Sequence, residues 1–172
     1  MKRVLFILGE LNDTDIDWLI AAGRREQIPT HAALIHEGKP ADKLYILLEG
    51  KLAVTVAALG EKVIATLAAG EVVGEMSFID AYPPSATVKA VEPAWVLSVS
   101  RSILMQKLQQ DVGFASRFYR ALAMLLSHRL RGTVKQMGNG KSNGLNTDMA
   151  STVALAEARF DALLKRLQHS TT

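Results

Sequence analysis

The chain has 172 residues, 49% hydrophobic and 22% charged, with 12 Gly and 5 Pro, which are the proportions of one globular domain with at most a small appendage. Zero cysteines exclude a disulfide framework, a thiol nucleophile and cysteine-ligated zinc or iron–sulfur centres. The formal charge of +3 is uneven: residues 1–100 hold 9 Lys/Arg against 13 Asp/Glu, residues 101–137 hold 7 against 1, and residues 138–172 hold 4 against 3.

Met1-Lys2-Arg3 followed by Val4-Leu5-Phe6-Ile7-Leu8 mimics the start of an export signal, but the apolar run stops at Gly9-Glu10, short of the roughly 7–15 residues required. No window approaches the ~18 apolar residues of a membrane span, so a cytoplasmic protein without membrane insertion is expected. Asn12 or Asp13 offers an N-cap, with Ile16, Leu19 and Ile20 on one face of a short leading helix. From Thr30 to Ser100 short β-branched and apolar runs alternate with turn residues. The candidate strands are 32–36, 44–48, 51–57, 62–67, 86–91 and 95–100, a pattern of a barrel, jelly roll or sandwich.

After Arg101 the periodicity is helical. Phe114, Phe118, Ala121 and Leu125 form one stripe, and Leu122, Leu126, Leu130 and Met137 a neighbouring one, so a long helix over this segment has one face for its own domain and one for a second copy. Gly138 to Gly144 has linker composition, and Val153, Ala156, Phe160, Leu163, Leu164 and Leu167 mark an amphipathic helix beyond it. The expected organisation is a domain over 1–137 that includes the long helix, a flexible linker over 138–147, and a C-terminal helix over 148–172.

The most informative stretch runs from Gly70-Glu71 through Gly74-Glu75-Met76-Ser77-Phe78-Ile79 to Pro83-Pro84-Ser85-Ala86-Thr87. It reads as a strand end, a short turn of helix opened by glycine, a proline bend and another strand with a hydroxyl at its start. Free backbone N–H groups at such a turn suit an anion, whereas a carboxylate like Glu75 suits the hydroxyls of a neutral polyol such as a ribose.

Together with Glu37-Gly38, Ala41 to Ile46 and the Glu49-Gly50 turn, this ordered set resembles the cyclic nucleotide-binding domain family. That family comprises the regulatory domains of cAMP-dependent kinases, cyclic-nucleotide-gated channels and bacterial cAMP receptor-type regulators. The resemblance covers roughly residues 11–137. It implies an α+β fold, an eight-stranded antiparallel β-roll (jelly-roll-like) with flanking helices, a long C-terminal lid helix and, here, an extra amphipathic helix. It also implies ligand contacts: Glu75 on the ribose 2′-hydroxyl, and Gly74, the amides of Met76 and Ser77, and Ser85 with Ala86 around the cyclic phosphate. Aligned without gaps, Thr133 falls where bacterial members place a hydroxyl on the purine, and Arg129 where they have an arginine near the ligand.

The chain departs from the family where it has Pro84, since an arginine normally follows the cassette proline and pairs with the phosphate. Proline has neither charge nor N–H, and a charged hydrogen bond is worth about 1.5–3 kcal/mol, so the loss corresponds to roughly 10- to 150-fold in affinity. Lys89 is the nearest cation along the strand and shares the parity of Ser85 and Thr87.

Each site residue also has a plainer reading: Glu75 as a helix-capping carboxylate, Ser85 bonding local backbone, and Thr133 and Arg129 as packing or surface residues. His31, His36, His128 and His169 are too dispersed for a metal site, and no catalytic constellation is recognisable, so no metal, no cofactor and no enzymatic activity are expected. The stretch after Gly138 is too short for a winged helix-turn-helix, so DNA binding is not expected. The leading expectation is a stand-alone module that binds cAMP or cGMP, forms a homodimer through the long helix and signals to an unidentified effector protein. The alternative is a degenerate roll that serves as a dimerisation or docking scaffold, or that takes an atypical nucleotide.

Overall fold

The computed structural model describes residues 6–137 and 147–169. Two short helices, α1 (Phe6–Glu10) and α2 (Asp13–Ala22), lead into strands β1 (Arg24–Ile28), β2 (Ala33–Ile35), β3 (Lys43–Glu49), β4 (Leu52–Val56), β5 (Lys62–Leu67), β6 (Val72–Val73), β7 (Thr87–Ala90) and β8 (Ala94–Ser100). Helices α3 (Arg101–Gln110), α4 (Val112–Met137) and α5 (Thr147–His169) follow. The strands form two antiparallel four-stranded sheets, in the orders β1-β8-β3-β6 and β2-β7-β4-β5. This is the expected eight-stranded roll with flanking helices.

Strands β3 and β8 are buried on both faces, which is why they read as near-continuous apolar runs. Leu47, Ala94 and Val96 point into the roll with Ile35, Leu52, Leu67, Val73, Val88 and Ala90. Leu44, Ile46, Leu48, Leu97 and Val99 point the other way, into a second core with α1, α2, α3, α4 and α5. Two strands escaped the hydrophobic pattern. Arg24-Arg25-Glu26-Gln27-Ile28 forms the charged edge strand β1, held by its ladder to β8, and β6 is only two residues long.

Asn12 caps α2 through a capping box with Asp15. The Asp15 carboxylate, 3% exposed, also receives a two-point hydrogen bond from Arg117 of α4, with Nε at 2.6 Å and Nη2 at 2.8 Å. Arg120 pairs with Glu10 at 2.8 Å. From the other side Arg159 of α5 donates to the Leu8, Gly9 and Leu11 carbonyls, the free C-terminal end of α1, and Arg166 pairs with Asp17. Ala156, Phe160, Leu163 and Leu167 bury the apolar face of α5 in the helical core, with Leu164 half-buried. The C-terminal helix therefore packs on its own domain. The linker segment 138–146 and the Val153 side chain lie outside the described residues. Thr147, expected as the end of the linker, is the first residue of α5.

Burial pushes Asp15 upward, but the Arg117 guanidinium and the Asn12 amide outweigh it and hold the carboxyl below its ordinary value of 3.8. A depressed carboxylate contributes stability that is complete above its unfolded pKa and is lost as pH falls through the folded one. Asp15→Asn is expected to lower the melting temperature at pH 7 by several degrees, with the gap to the unsubstituted protein closing below about pH 4. Thermal melts across pH 3–7 check this, and a gap independent of pH would contradict it.

Candidate functional site

The site begins where β6 ends. Val72 and Val73 pair with Ile46 and Tyr45 of β3, and the chain then turns at Gly74 with φ +86°, in the left-handed region. A Cβ at Gly74 would lie 2.4 Å from the Lys43 carbonyl oxygen, so no other residue fits the turn without displacing β3. A four-residue 3-10 turn, Glu75–Phe78, follows, with the Ser77 hydroxyl donating to the Gly74 carbonyl at 2.8 Å and the Ile79 amide to the Met76 carbonyl at 2.9 Å. A single turn carries little macrodipole, so what it offers an anion is local N–H groups rather than a helix end.

The Glu75 side chain, 3% exposed, points into the structure and not into water. Arg129 of α4 meets it: one guanidinium nitrogen donates to Glu75 Oε1 and the other to the Val72 carbonyl. Burial pushes the Glu75 carboxyl above its usual value of 4.5, while Arg129 and the backbone amide of Glu75 pull against that. The pair brings a buried carboxylate to neutrality and leaves lone pairs on Oε2 able to accept a ligand hydroxyl.

Two further contacts hold the turn. Phe78 is buried with its ring edge-on to Phe118 of α4, centroids 6.0 Å apart. Arg101, at the start of α3, donates to the Ser77 carbonyl from Nε at 3.3 Å and Nη2 at 3.0 Å, with its guanidinium 5.9 Å from the Phe78 ring. The sequence singles out neither residue: Phe118 reads as core, and Arg101 is one cation among seven in its segment.

Of the residues expected at the site, Gly74, Glu75, Met76, Ser77 and Arg129 come together. Met76 is 50% exposed beside the turn, and Ser77 turns its hydroxyl onto the local backbone. Ser85 is exposed and Ala86 half-buried on the loop leading into β7. Thr133 lies one helical turn beyond Arg129, exposed, with its hydroxyl donating at 3.1 Å to the Arg129 carbonyl of its own helix. Lys89 is not inside the roll. Val88 and Ala90 take the inner face of β7, and Lys89 on the opposite face lies 3.7 Å from Glu61.

The cyclic nucleotide-binding domain model matches residues 25–111, half of the chain, from β1 through α3. The chain belongs to the cyclic nucleotide-binding domain family. Among curated relatives, an NTE family protein of Mycobacterium tuberculosis is 30% identical over 120 residues, covering 70% of this chain and 20% of that protein. A cAMP-activated global transcriptional regulator of Pasteurella multocida is 29% identical over 130 residues, covering 74% and 60%. The chain thus spans a fifth of the mycobacterial relative and three fifths of the regulator. Among solved structures, a cyclic nucleotide-binding domain from Methylobacillus flagellatus superimposes with a TM-score of 0.71 at 26% identity, over 83% of this chain and 85% of that one. The regulatory domain of Toxoplasma gondii PKA, crystallised with cAMP, gives 0.53 at 28%, over 56% and 38%. In the cyclic nucleotide-binding domain described here, Gly74-Glu75 and Pro83-Pro84 both lie within the matched residues.

Two outcomes test this geometry. Gly74→Ala combines a left-handed φ with a backbone clash and is expected to cost about 2 kcal/mol or more, read in denaturant melts. Arg129→Gln leaves Glu75 buried without its cation, so the Glu75 pKa rises further. A raised carboxyl contributes stability below its unfolded pKa that is lost as pH rises through the folded one. The deficit of Arg129→Gln in melting temperature should therefore be larger at pH 8 than at pH 5; an equal deficit would show that Glu75 does not depend on Arg129.

Proposed function

We propose that this domain binds a cyclic nucleoside monophosphate, cAMP or cGMP, in the β-roll and acts as a regulatory module rather than an enzyme. Glu75 accepts the ribose 2′-hydroxyl through Oε2, and the amides of Met76, Ser77 and the Ser85-Ala86 segment face the cyclic phosphate. The reading is carried by one observation: the carboxylate at the ribose position is buried and neutralised by Arg129, a residue of the lid helix and not of the roll. A ligand that bonds Glu75 therefore alters the anchor of α4, and α4 passes the change to an effector protein.

The outer face of α4 supports a homodimer. Leu130, Val134 and Met137 are 65%, 58% and 84% exposed at the end of a helix whose other face is buried in the core. Three of the five Lys/Arg side chains of α4, Arg117, Arg120 and Arg129, are each committed to a carboxylate of the same chain, which weighs against nucleic acid as the partner.

Pro84 favours a second reading, a roll that has lost nucleotide affinity and keeps the scaffold. Calorimetric titration with cAMP and cGMP separates the two. Binding is expected, weakened roughly 10- to 150-fold by Glu75→Gln and tightened by a similar factor by Pro84→Arg. No heat with either nucleotide would leave the scaffold reading. In light scattering, Leu130→Glu combined with Val134→Glu is expected to convert a dimer to a monomer, and an unchanged mass would remove the dimer.

A further inference from the structure

A phosphate bound beside the cassette turn lacks the cation that position 84 supplies elsewhere in the family, and Glu75 is already neutralised by Arg129. The fold brings another cation to the exit of the cassette loop, where Pro84 stands. The turn after β2, His36-Glu37-Gly38-Lys39, is fastened by three hydrogen bonds, two of them to the exit of the cassette loop. The Gly38 amide donates to the Pro84 carbonyl at 2.9 Å, the Glu37 amide to Thr87 Oγ1 at 3.1 Å, and the Glu37 carboxylate accepts from the Ala57 amide at 2.8 Å. Gly38 adopts φ +73°, and the Lys39 amide closes the turn on the His36 carbonyl at 3.2 Å. Lys39 thus sits one residue from a direct backbone contact with Pro84.

Four cations of the roll and of the helices beside it are engaged. Arg129 holds Glu75 and the Val72 carbonyl, Arg101 holds the Ser77 carbonyl, Lys89 lies on the outer face near Glu61, and Lys43 pairs with Glu26 at 2.7 Å. Lys39 is exposed, and among the described residues no carboxylate pairs with it. We infer that Lys39 is the phosphate-binding cation of this site, reaching the cyclic phosphate from the β2–β3 turn in place of a side chain at position 84. An ammonium on a flexible four-carbon stem meets an anion as a movable point charge and needs no fixed planar geometry. The Gly38–Pro84 and Glu37–Thr87 bonds hold the base of that stem against the exit of the cassette loop, so only the side chain has to be ordered on binding. This assignment rests on the reading of the site as a cyclic nucleotide pocket.

The test is calorimetry of the full chain with cAMP and cGMP for the unsubstituted protein, Lys39→Gln, and Lys39→Gln combined with Pro84→Arg, at low and at raised salt. Position 39 is an exposed turn position, so Lys39→Gln is expected to fold with an unchanged melting temperature. It should bind roughly 10- to 150-fold more weakly, with a shallower salt dependence, and Pro84→Arg should restore the loss. If the unsubstituted protein binds and Lys39→Gln binds equally well, the assignment of Lys39 falls while the nucleotide reading stands. If neither nucleotide binds the unsubstituted protein, that reading falls, and an NMR titration with inorganic phosphate decides on Lys39 alone. Amide shifts at residues 38–39, 76–77 and 85–86 that vanish in Lys39→Gln uphold the cation site, and no such shifts overturn it.

Discussion

The Glu75–Arg129 pair is the interaction on which the rest of this domain depends. A carboxylate taken out of water costs several kcal/mol unless a partner neutralises it, and no cation of the roll itself is placed to do so. The partner comes from α4, and its second guanidinium arm is fixed by the Val72 carbonyl at the end of β6. The charge of the Glu75–Phe78 turn and the position of the long helix are therefore coupled. Phe78 against Phe118 adds an apolar counterpart to that link, so the cassette turn and α4 are joined by both a polar and a hydrophobic contact.

Pairing of an acid with a base from a helix distant in sequence recurs in the helical layer. Asp15 takes Arg117 and Glu10 takes Arg120 from α4, while Asp17 takes Arg166 from α5 and the end of α1 takes Arg159. Helices α1 and α2 form a hub gripped from both sides. The acidic first hundred residues and the basic segment after them are complementary parts of a single packed object. Of the seven Lys/Arg over residues 101–137, five bond carboxylates or a carbonyl of the same chain.

The relatives place this domain beside different neighbours. It matches a fifth of a mycobacterial NTE family protein and three fifths of a cAMP-activated transcriptional regulator. The family match itself runs over residues 25–111, from β1 through α3. Here α5 packs on the hub side of the layer, and among the described residues Leu130, Val134 and Met137 are exposed at the end of α4.

Much of the fold was legible from residues alone, because hydrophobic pattern and turn chemistry are local. The runs 44–48 and 95–100 announced strands, Asn12 announced a cap, and Phe160 with Leu163 and Leu167 announced an amphipathic helix. Strand β1 was not legible, since Arg24 to Ile28 has no apolar alternation and exists through its ladder to β8. At the site, Gly74-Glu75 was readable because a left-handed turn and a carboxylate at adjacent positions are a local signature. The sequence by itself determined the roll, the cassette turn and the absence of an arginine at position 84. Only the tertiary structure decided that Arg129 neutralises Glu75, that Lys89 faces outward, that Arg101 ties down Ser77, and that Lys39 stands beside Pro84. Those are contacts between elements far apart in sequence. Their partners are chosen by how two sheets and five helices pack, which no local pattern encodes.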